Sequence, residues 1–153
     1  MPKIVLVNPE IPPNTGNIAR TCAATGTPLH LVRPLGFELS DRYLKRAGLD
    51  YWPYVDLHIH ESVKAFWQHV DNAGGRCIGF TARCDRSYAQ LTYQSDDWLL
   101  FGCESKGLSQ SDLERCNTIT TIPMSESGYV RSLNLSVSAA VGLFECLRQI
   151  GKL

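Results

Sequence analysis

Trp98-Leu99-Leu100-Phe101-Gly102-Cys103-Glu104-Ser105-Lys106-Gly107-Leu108 is an unbroken apolar run that gives way at once to a polar loop flanked by glycines. Apolar side chains at successive positions suit a strand covered on both faces, the situation of a central strand in a parallel sheet. This strand is expected over residues 98–102, and the pattern recurs outward from it. Residues 3–7 (KIVLV) form a β-branched run closed by Asn8-Pro9, and 29–32, 55–60, 77–81 and 118–122 are further short strands. Helices are expected between them: 15–25, after a proline-rich turn over 9–13 and stopped by Gly26; a segment capped by Ser40-Asp41 and ended by Gly48; 62–72; 109–116; and 135–150. The alternation predicts an α/β fold, a parallel sheet with helices on both faces, in one domain spanning residues 1–153. Ligands of such sheets bind beyond the carboxyl ends of the strands, which directs attention to the loops after Val7, Thr81, Gly102 and Ile122.

Composition narrows the classes. With 153 residues, 44% hydrophobic and 20% charged, the chain is neither disordered, collagen-like nor a disulfide-stapled miniprotein. Its purely apolar stretches, such as 4–7 and 98–101, fall far short of the roughly 20 residues a bilayer requires. The chain enters a strand directly after Met1-Pro2 without a leader pattern, so a cytoplasmic location is expected. Cys22, Cys77, Cys84, Cys103, Cys116 and Cys146 are scattered, with no C-x-x-C and no paired histidine spacing, and read as buried thiols. His30, His58, His60 and His69 show no clustered partner and read as structural or surface residues; no metal is expected. Fifteen basic residues balance fifteen acidic ones, so a nucleic-acid site has to be local or assembled by oligomerisation.

Three segments carry chemistry. NTGNIAR at 14–20 spans a strand-to-helix junction, where free N–H groups attract anions, Gly16 permits close approach and Arg20 is positioned to reach a phosphate. It is neither a P-loop nor a dinucleotide fingerprint, since G-x-x-x-x-G-K-[ST] and G-x-G-x-x-G are both absent. FGCESKGL at 101–108 puts Glu104 and Lys106 between two glycines at the ligand end of the sheet; the carboxylate can act as acid or base, bind a ligand donor or hold the loop. IPMSESGYVRSLNLS at 122–136 runs into the last helix, with Asn134 as its N-cap and Ser132 and Ser136 in the same turn. Capping explains one of these residues, and the remaining polarity favours a site.

Together the three segments resemble the three motifs of the SPOUT class of RNA methyltransferases, over essentially the full chain. NTGNIAR is similar to the first motif, LLFGCESKGL to the second, and IPM followed by SLNLS to the third. The opening EIPPNTGNIAR and the stretch LKRAGLDYW resemble the branch that methylates the wobble ribose of tRNA.

The resemblance implies a C-terminal trefoil knot, which periodicity could not have shown, and a homodimer. It implies S-adenosylmethionine as cofactor and S-adenosylhomocysteine as product, with Phe80, Thr81, Gly102, Glu104, Gly107, Ile122, Met124, Ser132, Leu133 and Asn134 around the cofactor. Arg20, Asn14, Glu104, Ser132 and Asn134 are the implied catalytic group. The implied reaction is 2'-O-methylation of the nucleotide at position 34, cytidine or modified uridine, in certain tRNAs such as tRNA-Leu. Arg20 is assigned the proton in family schemes, but a guanidinium stays charged at neutral pH, so orienting a phosphate and stabilising an alkoxide is the better expectation. Arg20 with Arg42, Lys45, Arg46 and Arg131 would meet the RNA; 42, 45 and 46 share one helical face, and Arg33, Arg83 and Arg86 are further candidates. The apolar last helix offers a dimer surface. Alternatives are the same reaction at another tRNA position or on ribosomal RNA, and a non-catalytic knotted RNA-binding module.

Overall fold

Residues 1–40 and 51–153 are described by a computed structural model. Among them, β1 (Lys3–Val7), β2 (Leu29–Val32), β3 (Leu57–His60), β4 (Cys77–Phe80), β5 (Trp98–Phe101) and β6 (Thr118–Thr120) form one six-stranded sheet in the order β3-β2-β1-β5-β4-β6. Every pair is parallel. The helices are α1 (Pro12–Thr25), α2 (Val63–Ala73), α3 (Gln110–Arg115) and α4 (Leu135–Gln149).

Strand alternation divides the apolar residues between two layers. Ile4, Leu6, Leu29, Leu31, Leu99 and Phe101 pack with Ile18 and Cys22 of α1 and Leu143 and Leu147 of α4. Val5, Val7, Val32, Trp98 and Leu100 face the other way, onto Phe66 and Val70 of α2 and Leu113 of α3. β5 sits in both layers and is buried throughout, which is why its sequence reads as apolar at every position. The connections β1 to β2 and β4 to β5 step one way along the sheet and contribute to the first layer. Those from β3 to β4 and from β5 to β6 step the other way and carry α2 and α3 on the second. Opposite steps on opposite faces amount to one constant handedness of crossover.

Local chemistry sets most of the boundaries. Ser62 Oγ accepts from Ala65 N at 3.0 Å and Ser109 Oγ from Asp112 N at 3.1 Å, so α2 and α3 start at capping serines. Gly26 ends α1 in the left-handed region at φ 67°. The start of α1 differs from expectation: Pro12 and Pro13, read as part of a turn, open the helix, where a missing N–H costs nothing. A 3-10 turn at Trp52–Tyr54 delays β3 to Leu57. The helix expected from Ser40-Asp41 to Gly48, with Arg42, Leu44, Lys45 and Arg46, lies outside the described residues.

The histidines require a correction, because they do cluster. β2 and β3 pair in register, with His30 opposite His58 and Val32 opposite His60. His30 Nδ1 lies 2.8 Å from His60 Nε2, and its ring stacks on His58 at 4.4 Å. His69 of α2 lies 5.0 Å from the His60 ring, and the edge of Trp98 meets His30 at 4.9 Å. Burial, helped by His58, His60, His69 and Lys3, depresses His30 from 6.5 to about 3, and burial also lowers His60. The thiols are corrected too: Cys22, Cys77 and Cys146 are buried as expected, whereas Cys84, Cys103 and Cys116 are only partly covered.

A depressed imidazole has a definite consequence for stability. From about pH 6.5 down to about 3 the unfolded chain binds a proton at His30 that the folded chain refuses. Stability is therefore complete above this window and falls as pH drops through it. Urea unfolding should show about 2 kcal/mol of this loss between about pH 7.5 and pH 5, and His30→Gln should remove most of that increment.

Candidate functional site

The start of α1 is short of donors of its own. Its N-cap, Ile11, makes no side-chain cap, and the two prolines that follow have no N–H. The N–H groups just upstream point instead at a carboxylate from the opposite loop: Glu10 N donates to Glu104 Oε1 at 2.9 Å and Ile11 N to Glu104 Oε2 at 2.7 Å. The anion expected at this helix start is thus the chain's own Glu104. Gly16 lies inside the helix rather than at its approach, and its carbonyl accepts from Tyr51 Oη at 2.5 Å.

From Glu104 the network extends through two amides. Asn14 Nδ2 donates to Glu104 Oε2 at 3.2 Å, and Asn14 Oδ1 accepts from Asn134 Nδ2 at 2.9 Å. Asn134 then caps α4 through Oδ1, which accepts from Ser136 N at 2.8 Å and Ser136 Oγ at 2.6 Å. One chain of hydrogen bonds therefore ties together the first turn of α1, the loop after β5 and the entry to α4.

The loop after β5 folds back on itself. Gly107 N donates to Cys103 O at 2.9 Å, and a Cβ on Gly102 would lie 2.0 Å from the Gly107 carbonyl carbon, so only glycine fits. Gly107 itself has φ 70°, with open space where a Cβ would stand. On the α4 side, Gly142 lets the helix settle on Phe80, whose ring stacks on Phe101 at 4.6 Å.

Between these loops, beyond the carboxyl ends of β4, β5 and β6, opens a cleft of about 790 Å³. Its walls include Phe80, Thr81, Gly102, Glu104, Gly107, Ile122, Met124, Ser132, Leu133 and Asn134, with Asn14 and Arg131 at the same cavity. All four loops singled out from the sequence reach it. Arg20 does not line it: the side chain is exposed on α1 outside the cavity. Arg33 is also away from it, 3.6 Å from Glu61, while Arg42, Lys45 and Arg46 are outside the described residues. Among the described residues no group of three or more His, Cys, Asp or Glu is arranged to hold a metal ion.

Several wall residues were not assigned to the cleft by the sequence reading, which named Arg83 only as an RNA candidate and Lys106 only as part of the glycine-flanked loop. Arg83 lines the cavity and donates through Nη2 to Leu108 O, bridging the loops after β4 and β5. Cys84, Asp85, Cys103, Ser105 and Lys106 are also on the walls. Glu10 was quoted in the EIPP stretch without a role, yet it bonds Ser105; only the proximity of two distant loops reveals this.

Comparison with known proteins gives the arrangement a context. The profile of the SpoU rRNA Methylase family matches residues 1–144. A protein of Synechocystis sp., provisionally named tRNA (cytidine(34)-2'-O)-methyltransferase, is 60% identical over 153 residues, covering 100% of this chain and 99% of its own. A solved structure described as giving structural insights into the 2-OH methylation of C/U34 on tRNA superposes with a TM-score of 0.90 at 50% identity, over 100% of this chain and 98% of that one. The AdoMet-bound rRNA methyltransferase of Sinorhizobium meliloti shares the fold at a TM-score of 0.85 and 23% identity, over 97% of this chain and 56% of its own. With the family match running through nearly every element that builds the cleft, the chain belongs to the SpoU methylase family.

Proposed function

We propose that this chain is an S-adenosylmethionine-dependent tRNA 2'-O-methyltransferase acting on the ribose of nucleotide 34, cytidine or uridine, with residues 1–153 as one cytoplasmic methyltransferase domain. The observation that carries the reading is the Asn134–Asn14–Glu104 relay, which gathers all three motif segments around one cleft.

The cleft suits the cofactor. Its volume of about 790 Å³ lies in the range of small-molecule sites, and its walls mix apolar side chains with main chain at glycines. Phe80, Ile122, Met124 and Leu133 offer apolar surface to a nucleoside and a thioether. Gly102 and Gly107 bare the main chain, and Thr81, Ser132 and Asn134 add polar groups. When bound, S-adenosylmethionine supplies a methyl group already activated on a sulfonium. The chain then has to hold a ribose hydroxyl in line with that methyl group and steady the charge that develops as its proton leaves.

Arg20 is assigned the phosphate beside the target ribose, as a fixed cation rather than a base. Glu104 keeps a supporting role through Asn14, since its oxygens already accept three hydrogen bonds. The exposed Arg131 at the cleft rim is assigned the RNA backbone, together with Arg42, Lys45 and Arg46. The enzyme is further proposed to be a homodimer through α4. Val137 and Phe144 are exposed there, and Ala140 and Val141 between them are partly covered, a stripe at i, i+3, i+4 and i+7. A threaded crossing belongs to the same proposal. Tyr88 N bonds Thr121 O at 2.8 Å and Tyr93 N bonds Gln149 Oε1 at 2.9 Å, so the 81–97 connection is held both to the segment after β6 and to α4.

Mass spectrometry of anticodon fragments, after incubation with the cofactor and unmodified cellular tRNA, should find a new 2'-O-methyl group at nucleotide 34. Methylation elsewhere, or only on ribosomal RNA, would overturn the substrate assignment. Arg20→Ala should lower methyl transfer by at least about 100-fold and leave S-adenosylhomocysteine affinity within about twofold. Joint loss of both would make Arg20 a structural residue. Replacing Arg42, Lys45 and Arg46 together by Ala should weaken tRNA binding and reduce its log–log salt slope by about 2 to 3; an unchanged slope removes these residues from the RNA interface.

A further inference from the structure

Glu10 lies in the turn between β1 and α1, outside the three motif segments. One of its carboxylate oxygens is doubly engaged: Oε1 accepts from Ser105 N at 3.0 Å and from Ser105 Oγ at 2.6 Å. Across the same gap Glu104 accepts from Glu10 N and Ile11 N. The two loops therefore exchange carboxylates, each neutralising main-chain donors of the other.

We infer that Glu10 is a positioning residue for the cofactor cleft, acting through Ser105 to hold the tip of the 102–107 loop in its binding shape. The inference rests on the reading above that this cleft holds S-adenosylmethionine. The base of the loop is fixed without Glu10, by the Gly107–Cys103 hydrogen bond, the fully buried Leu108 and the contact at Gly102 that leaves no room for a side chain. The tip is exposed, and among the described residues the Ser105 hydroxyl meets, apart from Glu10, only Cys103 Sγ, at 3.8 Å. Ser105 and both its neighbours line the cleft. An exposed carboxylate adds little to global stability, so the effect of Glu10 is local, on the wall it braces. The Ser105 hydroxyl and then its N–H hold Glu10 below the usual carboxylate range, so these bonds are charge-assisted at neutral pH.

Calorimetry with S-adenosylhomocysteine and steady-state kinetics with varied S-adenosylmethionine test this on the full chain. Glu10→Ala should raise the Kd and the cofactor KM by about tenfold, with kcat at saturating cofactor within about twofold. The thermal midpoint should stay within about 2 °C. Glu10→Gln, which keeps an acceptor oxygen, should recover most of the affinity. Ser105→Ala should give a smaller rise, and the double variant should bind no more weakly than Glu10→Ala alone, the coupling expected of groups that act as one. Wild-type affinity in Glu10→Ala overturns the inference, as does a loss that follows thermal stability and is not rescued by Gln. Failure of the wild-type chain to bind S-adenosylhomocysteine would overturn the cofactor reading itself.

Discussion

A carboxylate from one loop caps a helix that begins after another, and the functional end of the molecule is organised by that contact. α1 opens on two prolines, and Asn14 N and Thr15 N turn back onto Ile11 O, while the main-chain donors of Glu10 and Ile11 at its mouth are both taken by Glu104, more than ninety residues away in sequence. A helix N-terminus favours negative charge through its free N–H groups and its dipole. Without Glu104 the exposed donors of Glu10 and Ile11 would turn to water, whereas Asn14 Nδ2, on a buried residue, would lose its acceptor. The contact therefore fixes where the loop after β5 lies relative to α1, and through Asn14 and Asn134 where α4 begins.

The sheet order explains why that contact falls beside a cleft. β1 and β5 are neighbours, but the chain leaves β1 toward β2 and leaves β5 toward β6, in opposite directions along the sheet. Their outgoing loops consequently part, and a crevice opens at the reversal, as it does in other open parallel sheets. The Glu10–Ser105 and Glu104–Ile11 bonds span the reversal from loop to loop. The cavity extends from there over β4 and β6, with Phe80 and Phe101 stacked on its apolar side.

How much of this was legible follows from the range of each interaction. The strand cores, the serine caps of α2 and α3 and the Asn134 cap of α4 are decided within a few residues, and the sequence displays them. The loops that form the cleft were legible because they sit just past strand ends, while the residues expected to face it came from the family resemblance. The true start of α1 was hidden because Pro12-Pro13 suits a turn as well as a first helical turn; a carboxylate distant in sequence settles which. Glu10 was hidden for the same reason. The histidine cluster had a local trace, since LHIH puts histidine at alternate positions and LHLV puts one at its second. Whether those rows meet depends on strand register, which periodicity does not encode.

Two concentrations of polar groups among the described residues behave differently, and their surroundings account for it. At the cleft, Thr81, Ser132, Arg131 and Lys106 stand at the rim of an open cavity, so a ligand can meet them. In the histidine layer the facing nitrogens of His30 and His60 lie beside Trp98 and Phe66. His30 Nδ1 and His60 Nε2 are separated by 2.8 Å, the distance at which one ring donates and the other accepts. With one proton between them, only one of the two lone pairs facing that gap remains, and it is already used; two nitrogens joined to a common tetrahedral zinc would stand about 3.3 Å apart, given Zn–N bonds near 2.0 Å. That gap is therefore closed to an ion in this geometry, and burial acts on the pair by suppressing its charge. A dense set of titratable side chains makes a site where its free valences face a space; here His30 and His60 meet each other and His58 meets Asp56, and the ring contacts of His60 with His69 and Phe66 hold the β2–β3 edge against α2.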